Sequence, residues 1–160
     1  MNTKGFFNVS DGRKVSAQGV VDEVVKFMKE DERRRYKVII GTDSQQTGDD
    51  SDFVTAVVVH RVGNGGRYFW CRSENGKFYT LRDRIIEEVL LSIDVAKEIL
   101  MFLKSATTTP FNFEIHADVG ANGETKSMIS EVVGMIKAND FEARTKPDSY
   151  AASKVADRHT

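Results

Sequence analysis

The feature that most restricts how this chain can fold is a β-branched run, a cluster of turn formers, and a second extended run behind it. Phe53 to Val62 comes first, Gly63-Asn64-Gly65-Gly66 follows, and Arg67 to Ser73 returns. Val, Thr and aromatic side chains suit the pleated, half-buried surface of a strand, while Gly and Asn supply the positive φ that a tight reversal demands. A hairpin is predicted. Tyr36 to Thr42 precedes it across the polar stretch Ser44 to Asp52, which reads as a loop. Sequential strands usually pair with their neighbours, so the three form an antiparallel meander.

Elsewhere the apolar period becomes helical. Gly19 to Arg35 carries Val20, Val21, Val24, Val25 and Met28 on one face, and Arg82 to Lys104 carries Ile85, Ile86, Val89, Ile93, Ala96, Leu100 and Leu103 along a broad stripe. Thr107 to Pro110 ends that helix, and a strand is predicted over Phe111 to Asp118. Glu124 to Ala138 is predicted as a helix, Phe141 to Thr145 as a short strand, and Ser149 to Arg158 as a last helix after Lys146-Pro147. This is an α/β order whose second half alternates as parallel units do. Residues 1–35 are expected to form a tail and amphipathic helix packed on the core, and residues 36–160 the main domain, one domain in all.

Composition narrows the function classes. At 160 residues and 40% hydrophobic content the chain can bury a real core. Lys plus Arg (23) and Asp plus Glu (24) nearly cancel, so there is no global basic field, and any polyanion must be held locally. The single cysteine, Cys71, excludes an internal disulfide and a cysteine-rich zinc cluster, and fits a reducing compartment. With no signal peptide and no apolar run of spanning length, a soluble cytoplasmic protein without membrane contact is expected. Oligomeric state is not encoded in any visible pattern.

Two predicted strands run out onto an aspartate, Val38-Ile39-Ile40-Gly41-Thr42-Asp43 and Phe113-Glu114-Ile115-His116-Ala117-Asp118. One sheet can bring two such groups together, and close carboxylates repel unless a cation lies between them. Singly, Asp43 is a common turn former before Ser44 and Asp118 a common cap before Gly120. Jointly they point to metal. His116 shares the strand face of Asp118 and is expected to be a buried, hydrogen-bonded histidine rather than a ligand. The arginine run Arg33-Arg34-Arg35 lies roughly 26 Å of extended chain from Asp43, so it reads as a solvated helix end.

Gly120-Ala121-Asn122-Gly123-Glu124-Thr125-Lys126-Ser127 departs from the phosphate-binding loop pattern at one fixed position, Thr125, where that pattern has glycine. A β-branched residue is poorly suited to a place where backbone must approach phosphate closely. The glycines are expected to shape a turn, with Lys126 within reach of a phosphate, and a nucleotide-hydrolysing loop is a minor alternative.

Apart from its first helix, the order of elements resembles the ribonuclease H fold, a mixed five-stranded sheet of three antiparallel then two parallel strands flanked by helices. From Tyr36 to Thr160 the chain is similar to the YkuK-type family of ribonuclease H-like proteins. The likeness rests on Ile40-Gly41-Thr42-Asp43-Ser44-Gln45, Arg84-Ile85-Ile86-Glu87-Glu88, His116-Ala117-Asp118-Val119-Gly120 and Lys146-Pro147-Asp148-Ser149-Tyr150-Ala151-Ala152-Ser153. The resemblance implies four acids, at Asp43, Glu88, Asp118 and Asp157. Between Glu87 and Glu88, the helical stripe puts Glu88 at the flank of the buried face and Glu87 towards solvent.

Such carboxylates imply two Mg²⁺ or Mn²⁺ ions and phosphodiester hydrolysis of nucleic acid, whether RNA, DNA or hybrid, without a side-chain nucleophile. Oxygen donors suit these hard cations better than zinc. Lys146 is a candidate contact to the scissile phosphate or a partner of Asp148, and His159 a candidate aid to product release. The alternative function is an inactive ribonuclease H-like module that binds nucleic acid or a protein. An actin-like sugar-kinase lobe shares the same core, but it needs two lobes to clasp ATP.

Overall fold

The computed structural model describes residues 5–78 and 80–149. Short strands β1 (Phe7–Val9) and β2 (Lys14–Val15) lead into helix α1 (Ala17–Glu30), whose N-terminus is capped by the Ser16 hydroxyl accepting from the Gly19 amide at 3.1 Å. Strands β3 (Tyr36–Thr47), β4 (Asp50–Arg61) and β5 (Gly66–Lys77) form the meander. Helix α2 (Leu81–Ala106) starts at Thr80, whose side chain accepts from the Asp83 amide. Strand β6 (Asn112–His116), a 3-10 turn at Lys126–Met128, helix α3 (Ile129–Ala138) and strand β7 (Glu142–Arg144) complete the described order.

The strands lie in the order β2-β1-β5-β4-β3-β6-β7, with β6 parallel to β3 and β7 parallel to β6. The five expected strands take their expected places. The N-terminal tail does more than pack against them, because β1 and β2 extend the sheet beyond β5. The predicted last helix, Ser149 to Arg158, lies outside the described residues apart from Ser149.

One boundary shift changes the setting of Asp43. The expected loop from Ser44 to Asp52 is instead a continuation of the hairpin, with Ser44 paired to Phe53 and Thr47 to Asp50 around Gly48 at φ +62°. Polarity suggested a loop, but a strand that projects past the core can expose both faces while its ladder bonds continue. Asp43 is therefore a mid-strand residue. Conversely, β6 stops at His116, which leaves Asp118 beyond the strand end.

Alternation along the strands divides the sheet into two faces. Tyr36, Val38 and Ile40 of β3, Val57 and Val59 of β4 and Ile115 of β6 join the buried faces of α1, α2 and α3 in one continuous core. Each fully buried Val, Ile or Phe there contributes about 1.5–3 kcal/mol. Ile39 and Ala56 point the other way, in a small cluster with Val58. At the start of β3 the Tyr36 hydroxyl donates to the Asp31 carbonyl at 2.7 Å and accepts from Arg61 Nε at 3.0 Å, and the Arg61 guanidinium lies 3.9 Å from the centre of the Phe27 ring. This knot ties α1 to the end of the sheet remote from Asp43, and Arg33 and Arg34 turn their side chains to Asp31. Among the described residues no helix is long and apolar enough to cross a membrane.

Candidate functional site

Strands β3 and β6 run side by side until Gly41 pairs with His116, and then separate. Asp43 and Asp118 each lie two residues beyond that last pair. The parallel register carries both to the same end of the sheet, and alternation turns Asp43 to the face opposite α1 and α2.

Glu88 approaches from α2, on the other face, and is only 5% exposed. Its carboxylate accepts a hydrogen bond from the Ser44 hydroxyl at 2.5 Å, and Arg84 Nη1 lies 3.4 Å from the same hydroxyl. Behind this contact Thr42, Thr55 and Ser92 form a buried hydroxyl chain, with Thr42 Oγ1 at 2.9 Å from Thr55 and 2.7 Å from Ser92, fixing β3 against α2. Burial pushes the Glu88 carboxyl well above its ordinary pKa. The Ser44 bond opposes that shift, the charges of Asp43 and Asp118 add to it, and Arg84 opposes it. The Glu88 carboxyl therefore senses both aspartates. Glu87 is only half-buried, beside Lys77, Phe78 and Asp83.

Lys146 Nζ lies 2.9 Å from Asp118 Oδ1. Backbone bonds hold it there: the Ala117 amide donates to the Arg144 carbonyl at 2.9 Å, and the Lys146 amide to the Val119 carbonyl at 2.8 Å. The absence of a side chain at Gly120 completes the fit, since a Cβ there would meet Lys146 Cβ at 2.9 Å. Asp118 is thus a partner of Lys146 that the sequence had not suggested. The phosphate-loop alternative loses its geometry as well: the Gly120 amide donates to Thr125 Oγ1 at 3.0 Å, and the chain then enters a 3-10 turn with Lys126 exposed.

Asp157 and His159 lie outside the described residues. Among the described residues no group of three or more His, Cys, Asp or Glu side chains converges closely enough to hold a metal ion. Alternation supplies the reason: Asp43 faces away from α2, and it is its neighbour Ser44 that meets Glu88. The donor chemistry of Asp43, Glu88 and Asp118 suits a hard divalent cation, because each offers carboxylate oxygen.

Sequence reasoning overlooked two groups. Ser44 was assigned to a loop, although alternation from Asp43 would have aimed it at α2. Glu114, a charged residue within an apolar strand, is 3% exposed; its Oε1 lies 3.0 Å from His116 Nε2 and its Oε2 3.3 Å from Arg144 Nη2. His116 is buried and hydrogen-bonded, as its position suggested.

A sequence model described as ribonuclease H-like matches residues 19–160. An uncharacterised protein, YkuK of Bacillus subtilis (strain 168), is 34% identical over 169 aligned positions that cover 97% of this chain and 96% of that protein. Among solved structures, the N-terminal RNase H domain of rv2228c from Mycobacterium tuberculosis, studied as a fusion with maltose binding protein, is similar with a TM-score of 0.36 and 14% identity. That alignment covers 76% of this chain and 94% of the other.

Proposed function

The chain belongs to the ribonuclease H-like family, and from that premise we propose that it hydrolyses phosphodiester bonds of nucleic acid with the help of Mg²⁺ or Mn²⁺. The observation that carries this reading is the placing of Asp43 and Asp118 at equal distance past the last β3–β6 pair, with a buried Glu88 carboxyl that feels both charges. Asp43, Glu88 and Asp118 would hold the metal, with Asp157 as a fourth acid. Such ions supply Lewis-acid stabilisation of charge on phosphate oxygens and activation of water.

The chain's own groups prepare that reaction. Ser44 keeps Glu88 turned to the site, and the buried hydroxyls behind it fix the helix that carries Glu88. Lys146 balances Asp118 until a phosphate brings negative charge of its own, to which the ammonium can then turn.

The test is cleavage of end-labelled RNA, single-stranded DNA and RNA–DNA hybrid with Mg²⁺ or Mn²⁺. Asp43→Asn and Asp118→Asn are each expected to lower the rate at least about a hundredfold, with the fold intact by circular dichroism. Cleavage that survives both substitutions unchanged would refute the assignment. Absence of cleavage on every substrate, together with retained nucleic-acid binding, would favour the inactive binding module.

A further inference from the structure

The open face of the sheet, the face that Asp43 takes by alternation, carries a cavity of about 530 Å³. Its described lining includes Lys37, Ile39, Val58, Tyr68, His116 and Arg144, with the acids Glu114 and Asp148 beside them, and Arg144 is ion-paired to Glu114 and Glu142. The register accounts for the grouping. Tyr68 pairs with Val58, Val58 with Ile39 and Ile39 with Glu114, so an aromatic ring, two aliphatic side chains and an acid lie in a row across four strands. One step nearer the carboxylates, Gly41 lies between Ala56 and His116, and His116 pairs with Arg144. Arg67 also borders the cavity, yet its guanidinium lies 4.7 Å from the centre of the Phe27 ring, on the helix side.

We propose that this cavity seats one nucleotide of a nucleic-acid strand, with its base over Tyr68, Ile39 and Val58 and its phosphate towards Lys37 and Arg144. The size falls within the range of small-ligand sites, and an apolar floor with a few convergent polar groups is their usual make-up. His116 gives an independent indication. Its ring is buried beside Glu114, and its Nδ1 has no hydrogen-bond partner among the described residues. Where Glu114 Oε1 accepts from Nε2, Nδ1 is left as an acceptor. A buried acceptor without a donor is uncommon in a finished interior. A base N–H or a ribose hydroxyl would supply that donor.

The inference rests on the hydrolase reading for one feature, the continuation of the strand. His116 precedes Asp118 by two residues, about 7 Å of extended chain, so the next phosphodiester of a strand seated here falls at Asp43 and Asp118. Nucleotide occupancy itself does not depend on cleavage.

The protein provides its own reporter, because its single tryptophan, Trp70, lies two residues from Tyr68 on the same strand face. The full chain in EDTA is titrated with each ribonucleoside 5′-monophosphate, with inorganic phosphate and with a single-stranded pentanucleotide, following Trp70 fluorescence. The expected result is saturable quenching by at least one monophosphate, weakened about tenfold or more in Lys37→Glu, with the pentanucleotide competing. Circular dichroism of Lys37→Glu, a substitution at a half-buried position, separates lost binding from lost fold. No saturable response, an equal response in folded Lys37→Glu, or the same response to phosphate alone would overturn the nucleotide site. A monophosphate that binds without competition from the pentanucleotide would overturn the assignment to a strand. Binding here, together with no cleavage of any of the labelled substrates with Mg²⁺ or Mn²⁺, would refute the hydrolase reading and leave the cavity's occupant standing.

Discussion

The Ser44 hydroxyl donates to Glu88 at 2.5 Å, across the interface between β3 and α2, and so holds a carboxylate that burial and two neighbouring acids all disfavour. A folded-state pKa raised above the unfolded one means stability that is full at low pH and is lost as pH rises through the folded pKa. As pH rises, ionising Glu88 therefore costs stability. Glu88→Gln keeps an acceptor for Ser44 and removes the charge, so it is expected to stabilise the metal-free protein by about 1 kcal/mol, or roughly 2–4 °C in Tm. Its Tm should exceed that of the wild type most at pH 8 and least at pH 5, while cleavage is lost. Differential scanning fluorimetry across that range, without divalent ions, checks it. A variant less stable than wild type at pH 8 would show that the charge is already compensated.

How much of this was legible beforehand follows from which signals are local. The meander, the long α2 helix and the strand leading to Asp118 are carried by periodicity, and the β3–β6 adjacency follows once the order of elements is matched to a known fold. The side each acid takes was harder. Glu88 takes a hydrogen bond from Ser44, which was hidden because the polar stretch from Ser44 to Asp52 reads as a loop and alternation was not carried past Asp43. The extension of β3 to Thr47 was hidden for a related reason, since pairing of backbone does not require apolar side chains. Glu114 was passed over because its partner Arg144 lies on another strand.

Gly120 faces the Lys146 side chain, and an added Cβ would meet Lys146 Cβ, the rigid end of that chain, at 2.9 Å. Gly120→Ala must therefore displace the backbone that aims Lys146 at Asp118. A destabilisation of about 1–3 kcal/mol is expected, as for other overpacked sites. Urea denaturation measures it. A change below about 0.5 kcal/mol would mean that the 144–146 segment yields freely.

The Lys146–Asp118 pair is partly open to solvent, with side chains 57% and 29% exposed, so its own contribution to stability should be under about 1 kcal/mol. Its larger effect concerns cations. Removing the ammonium in Lys146→Ala leaves Asp118 more negative and should tighten Mn²⁺ binding about fivefold, the equivalent of roughly 1 kcal/mol for a unit charge at close range in water. Cleavage should nevertheless fall, because the phosphate loses its cation. Calorimetric titration with Mn²⁺ and a rate measurement on the same variant read the two effects separately. Weaker Mn²⁺ binding would show that Lys146 supports Asp118 instead of competing for it.

Cys71 pairs with Thr55 in the middle of β5, where burial pushes its thiol up to about 12 from an ordinary 9.0, against a smaller lowering by a backbone hydrogen bond at Thr55. The thiolate is the reactive form, so at pH 8 its fraction is about a thousandfold below that of a free cysteine. Ellman's reagent should thus react slowly with the native chain and quickly once urea unfolds it. The same shift has a thermodynamic sign. Below pH 9 the thiol is protonated in both states; between about 9 and about 12 only the unfolded chain loses the proton, and stability is lost. Other groups titrate in that range too, so the measurement is the difference between wild type and Cys71→Val in urea at pH 8 and pH 10. The wild type should lose about 1 kcal/mol more than the variant over that interval. Equal losses, with rapid native labelling, would place the thiol in contact with water.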